Sequence, residues 1–265
     1  MKPIVKSSWG LTSEFDYRKQ ITIKVDHLIK EKTAGIDIIL VVEPVRPKLI
    51  NELMNLSTLK YYDIVLTHNE QLLKVNPKTI FHNQHPTWIR DYGFPDKKFG
   101  VSTIISGRNP DLKEGVKMRI ELWDKQDAIR IPKMFYNSSK LPYVTDRKNL
   151  NLGRVNTDKA QLFDTMFHVC IECTSVNWYF SEKLLDCFQT MTVPVYYGCI
   201  DIGRYFNTNG IIQCRSADEI IQVCNDLTEE DYLSRIMPMK ENYILAQKYL
   251  THTQILDDKL KQLCV

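Results

Sequence analysis

Residues 167–198 read FHVCIECTSVNWYFSEKLLDCFQTMTVPVYYG and hold the densest grouping of reactive side chains in the chain. Ser181, Glu182 and Lys183 set a hydroxyl, a carboxylate and an ammonium in succession. Serine is a preferred helix N-cap, and Glu182 to Met191 places Leu184, Leu185 and Phe188 on one face, which predicts a short helix behind it. A helix N-terminus offers unpaired N–H groups and partial positive charge, which suit a diphosphate. Lys183 in the first turn opposes the helix dipole, and an anion held there removes the conflict. Glu182 has acceptor oxygens for ribose hydroxyls. The plainer alternative is a solvated Glu–Lys pair on a surface helix.

Flanking elements must position these groups. Phe167–Cys173 reads as a strand, 174–180 as a loop, and Val193–Tyr197 as the next strand, closed by Gly198. A right-handed crossover then sets Ser181 at the carboxyl edge of a parallel sheet, where open α/β sheets bind ligands. Upstream, the apolar run from Gly35 to Pro44 reads as a buried parallel strand, 47–59 as a helix, 62–67 as a second strand and 79–82 as a third. Near Phe94–Lys98 the pattern breaks, with Gly93, Pro95 and three charges, before a fresh strand at 100–106. The expected division is therefore an acceptor-side domain over 1–98 and a donor domain over 99–265. In the latter, a helix at 117–125, a short strand at 128–132 and a polar segment at 136–156 precede the βαβ unit. A helical region follows Thr228, broken near Pro238. The expected fold class is α/β, with two Rossmann-like domains whose parallel sheets face each other across a cleft.

With 265 residues the chain has room for two domains, and a net charge of +3 does not suggest a nucleic-acid partner. The N-terminus MKPIVKSSWG lacks the apolar run of a signal peptide or anchor, and seven scattered cysteines suggest reduced thiols, so a soluble, cytoplasmic protein without a membrane span is expected. Sequons at Asn55 and Asn137 carry little meaning in that setting. Cys170 and Cys173 form a lone C-x-x-C, and His82 and His85 lack a third ligand nearby, so no metal site is expected.

The 167–198 run resembles the donor-site motif of glycosyltransferase family 10, the α-1,3/4-fucosyltransferases. The matching phrases are Ile171-Glu172-Cys173-Thr174, Tyr179-Phe180-Ser181-Glu182-Lys183 and Val193-Pro194-Val195-Tyr196-Tyr197-Gly198. Looser similarity covers Ile104–Pro110, Arg119–Trp123, Gly153 and Lys159, and Tyr62–Glu70 resembles the segment ending in the family's catalytic glutamate. The resemblance implies donor-binding roles for Arg119, Glu172, Thr174, Tyr179, Ser181, Glu182 and Lys183, and a general-base role for Glu70, with Glu43 as the competing carboxylate. Cys173 stands where the family has asparagine and lacks that amide's paired hydrogen bonds. Ser181 stands for threonine and keeps the hydroxyl. The resemblance points to a bacterial or viral type of member.

His85 and Trp88 are candidates for stacking on an acceptor sugar, with ordinary packing as the rival reading. No D-x-D triplet occurs, which suggests metal-independent transfer of the two-domain GT-B kind, with cations of the protein at the leaving diphosphate. The resemblance implies inverting transfer of L-fucose from GDP-L-fucose, a substrate and not a cofactor, to a glycan hydroxyl. Two rivals stay open. One is another nucleotide-sugar donor on the same fold, such as UDP-xylose. The other is a non-catalytic glycan- or nucleotide-binding module.

Overall fold

A computed structural model of the chain describes residues 1–6, 20–44, 46–90, 93–94, 96–106, 113–137 and 157–263. In chain order the elements of the first half are β1 (Ile4–Lys6), β2 (Ile21–Val25), β3 (Ile36–Val41), α1 (Pro47–Met54), β4 (Ile64–Thr67), α2 (Glu70–Val75), β5 (Thr79–Phe81), β6 (Lys98–Ile105), α3 (Glu114–Lys125) and β7 (Lys133–Asn137). There follow α4 (Thr157–Ala160), β8 (Thr165–Ile171), α5 (Glu182–Gln189), β9 (Val193–Tyr197), β10 (Ile212–Gln213), α6 (Ala217–Asp226), α7 (Glu229–Ser234), α8 (Ile236–Ala246) and α9 (His252–Gln262). Both sheets are parallel, in the orders β1-β2-β3-β4-β5 and β10-β9-β8-β6-β7. The α/β class with two parallel-sheet units is thus the observed one.

The first unit comprises Met1–Pro86, Asn177–Tyr179 and Lys248–Val265. Side chains of β3 alternate between two covered faces. Ile38 and Leu40 pack with Ile21, Ile23, Leu66, Leu256 and Leu260, while Ile39 and Val41 pack with Leu49, Leu53, Tyr62 and Leu72. Burial on both faces is why this strand reads as an unbroken apolar run. The helix expected over 47–59 ends at Met54, and a 3-10 turn follows over Leu56–Tyr61. Asn55 divides the two because its side chain accepts from Ser57 N at 3.0 Å, a local bond that competes with the helix.

The second unit comprises Thr87–Val176 and Phe180–Gln247. The single cut expected at 98/99 therefore differs from the compact units, which divide after Pro86 and return α9 to the first. Leu256 and Leu260 on α9 supply the reason, since both are fully buried against the first sheet. The strand expected at 128–132 lies later, at β7, because α3 continues into a 3-10 turn over Gln126–Ala128. The helix break expected near Pro238 falls at Arg235, and Pro238 sits in the first turn of α8, where a missing N–H leaves no helix bond unmade. Among the described residues no helix is long and apolar enough to cross a membrane. Gly107–Pro110, Gly153 and most of the polar segment expected at 136–156 lie outside the described residues.

His68, His82 and His168 are among the histidines buried in these units. Burial first, and neighbouring imidazoles second, push His68 down to about 3. Burial likewise takes His82 to about 4, and burial with Lys159 and Lys97 takes His168 to about 3. The unfolded chain binds these protons near pH 6.5 while the folded protein refuses them until far lower. Stability is therefore full above that value and is lost as pH falls, by about 1.4 kcal/mol per pH unit for each imidazole. Urea unfolding at pH 7.5 and 5.5 should show a markedly lower midpoint at the acid value, and equal midpoints would contradict neutral burial.

Candidate functional site

The second sheet's carboxyl edge is organised by one acid. Glu172 follows β8 directly and is fully buried. Its Oε1 accepts from Ser181 N at 2.8 Å, and Ser181 Oγ lies 2.9 and 2.7 Å from its two oxygens. Ser181 caps α5 as the sequence predicts. Lys183 Nζ lies 2.8 Å from Glu182 Oε1, 3.1 Å from Ser181 Oγ and 3.6 Å from Glu172 Oε2. Burial works against the charge of this half-buried lysine, but Glu182 and then Glu172 outweigh it, and its pKa lies above the ordinary lysine value. Arg119, buried on α3, opposes that rise and donates through Nε, at 2.9 Å, and Nη2 to the carbonyl of Ile171.

The backbone around Glu172 is crowded. A Cβ on Gly115 would meet the Glu172 carbonyl oxygen at 1.9 Å, and one on Gly198 would meet Glu172 Cγ at 2.6 Å and Tyr196 OH at 2.3 Å. Glu114, the first residue of α3, accepts from Thr174 Oγ1 at 2.7 Å and Ser175 N at 2.9 Å. Thr174 is thus held by a carboxylate. The structure brings together Arg119, Glu172, Ser181, Glu182 and Lys183, with Thr174 on the adjoining loop. Glu114 and Gly115 escaped sequence reasoning because an acid and a glycine opening an amphipathic helix give no sign of what they touch.

Two sequence-based expectations change here. The N-terminus of α5 does not present a row of unpaired N–H groups. Ser181 Oγ caps Lys183 N, and the Ser181 carbonyl accepts from Leu184 N at 3.2 Å and Leu185 N at 3.3 Å. Attraction for an anion then rests on the Lys183 ammonium and the dipole. The lysine's conflict with that dipole is met within the chain itself, by Glu182 and Glu172.

The remaining site residues lie in other places. Tyr179 belongs to the first unit, with its ring 5.2 Å from both His68 and His85. His85 is buried in the first unit and its Nε2 donates to the Val42 carbonyl at 3.1 Å. Trp88, its expected companion on the acceptor side, belongs to the second unit. There its backbone N donates to Asp186 Oδ1 at 2.7 Å, and Lys159 Nζ stands 4.6 Å from its ring centre. Asp186 also accepts from Thr87, Ile89 and Lys159, which fixes α5 to the chain at 87–89.

Glu70 opens α2, partly exposed, paired with Lys74 at 2.8 Å and accepting from Asn177 Nδ2 at 3.4 Å. Lys74 first and Asn177 second hold its carboxyl below the usual glutamate value. Glu43 is half-buried after β3, and its backbone N donates to Asp26 Oδ1 at 3.3 Å. Among the described residues no three His, Cys, Asp or Glu side chains group to hold a metal ion.

Removing the carboxylate charge in Glu172→Gln should lower stability by about 1–3 kcal/mol, since one buried charge-assisted cap is weakened. Gly198→Ala should lower it by a similar amount, about 1–3 kcal/mol, through overpacking. Guanidinium unfolding measures both, and a Gly198→Ala midpoint equal to the parent's would show that the approach to Glu172 is not tight.

No protein-family model matches the chain, and no curated protein matches it either. Solved structures do. An α1,3-fucosyltransferase with GDP-fucose is similar over 92% of this chain and 77% of its own, at 16% identity and TM-score 0.55. Anabaena Alr3699/HepE, in complex with UDP and glucose, covers 86% of this chain and 71% of its own, at 10% identity and TM-score 0.56. OtsA in its apo form covers 92% and 72%, at 10% identity and TM-score 0.61. With its two parallel five-stranded sheets, this chain has the GT-B fold.

Proposed function

We propose that the protein is an inverting glycosyltransferase that binds a nucleotide-diphosphate sugar at the N-terminus of α5. The observation that carries this reading is the pairing of Ser181, Glu182 and Lys183 at the carboxyl edge of the second sheet. The diphosphate replaces Glu182 on the Lys183 ammonium, and the freed carboxylate accepts from the ribose hydroxyls. Arg119 adds positive charge at the end of β8, and Thr174 lines the same loop. Glu172 holds the helix start.

In the reaction an acceptor hydroxyl attacks the anomeric carbon, and the bond from that carbon to the diphosphate oxygen breaks. Glu70 takes the hydroxyl proton, and Lys183 and Arg119 stabilise the departing diphosphate. No metal is required in this scheme, which rests on the absent D-x-D. Two features bear on the base. Its pairing with Lys74 makes Glu70 a weaker base than a free glutamate, and Glu43 stays the competing carboxylate. GDP-L-fucose is the donor the motif favours, with a glycan as acceptor. Buried Cys173, in place of an amide, favours the second reading, a donor with another base or sugar such as UDP-xylose.

Thermal shift against GDP, UDP, CMP and their sugars identifies the donor, because a ligand of the native state raises its stability. Lys183→Ala should weaken nucleotide-diphosphate binding by about 1.5–3 kcal/mol with the fold retained, and unchanged calorimetric affinity would sink the assignment. Glu70→Gln should leave donor binding intact while kcat falls by about 10²–10⁴-fold. A dead Glu43→Gln beside an active Glu70→Gln moves the base, and a protein that binds nucleotide without transfer to any acceptor is the binding module.

A further inference from the structure

His68 follows β4 at the carboxyl edge of the first sheet and is 2% exposed. Among the described residues, neither ring nitrogen has a hydrogen-bond partner. Its two histidine neighbours are differently placed, since His82 Nε2 donates to Gln84 Oε1 at 2.6 Å and His85 Nε2 to the Val42 carbonyl at 3.1 Å. An imidazole with two unmet nitrogens is costly in a protein interior, and such groups concentrate where a ligand completes them. The Tyr179 ring lies 5.2 Å from His68 at 33°, and the His85 ring 6.2 Å away. Trp178, next to Tyr179, holds a left-handed φ of 66°, a strained state for a bulky residue.

We propose that the His68 imidazole is a hydrogen-bonding group for a hydroxyl of an uncharged carbohydrate, reached when the Tyr179 ring moves off it. The proposal rests on the sugar-transfer reading and supplies its acceptor side with a residue. A neutral imidazole offers one donor and one acceptor nitrogen, which matches a hydroxyl's own pair of roles. Burial and the neighbouring imidazoles keep the ring uncharged at neutral pH, so it offers no ionic charge to an anion. Tyr179 and His85 add aromatic faces against which the C–H face of a sugar packs. Relief of the backbone at Trp178 offsets part of the work of moving Tyr179.

The test follows the imidazole resonances of the six histidines by NMR while methyl β-D-galactoside or lactose is added. The His68 signal should shift saturably with at least one of the two sugars. His68→Phe keeps the ring packing, should not lower the melting temperature, and should bind the same sugar about tenfold more weakly. His68→Gln restores a donor and an acceptor and should recover most of the affinity. GDP affinity, read by calorimetry, should be equal in all three proteins. Silence of His68 toward both sugars overturns the proposal, as does equal sugar affinity in His68→Phe. Failure of every nucleotide to bind the parent protein would instead remove the donor reading, while the histidine titration still decides the sugar site.

Discussion

The buried carboxylate of Glu172 is the constraint from which the second unit's edge is built. A charge in the interior is tolerated only when paired and hydrogen-bonded. Ser181 meets one part of that demand with its backbone N–H and hydroxyl, and Lys183 meets another with its ammonium. Both belong to the start of α5, so satisfying the acid fixes where the helix begins. The intervening loop must leave β8 and return within nine residues. Gly115 and Gly198 follow from the same demand, since a side chain at either position would occupy space that Glu172 takes.

That arrangement gives the site a particular electrical character. Two carboxylates, Glu172 and Glu182, face two cations, Lys183 and Arg119, so the ligand-free edge is nearly neutral. A diphosphate entering it competes with a carboxylate for an ammonium already in place. The positively charged end of α5 favours the incoming anion. Because the acids keep Lys183 charged far above neutral pH, the ammonium needs no ligand to stay protonated.

The loop between Glu172 and Ser181 serves more than one unit. Thr174 and Ser175 are tied to Glu114 in the second, while Asn177–Tyr179 belong to the first, with Asn177 on Glu70 and Tyr179 on the histidines.

By itself the sequence determined the βαβ frame of β8, α5 and β9, the cap at Ser181 and the apolar strands β3 and β4. Each of these depends on residues close together in the chain: an apolar run, a hydroxyl before a helix, a glycine after a strand. It also supplied the Glu182–Lys183 pair, which is a matter of adjacency. Short strands such as β1 and β10 carried too few apolar residues to stand out, β2 interleaves apolar and polar residues over only five positions, and β7 was displaced because a turn of helix outran α3. Tertiary structure alone decided the rest. Leu256 and Leu260 bring the last helix back to the first sheet across some 170 residues of chain, which no local pattern records. Packing alone also turned Glu172 into a clamp with no exposed oxygen, put Trp88 on Asp186 and Lys159, and left His68 buried with its nitrogens unmet among the described residues. Those outcomes depend on which distant side chains fill the space beside a residue, and the order of residues does not write that space down.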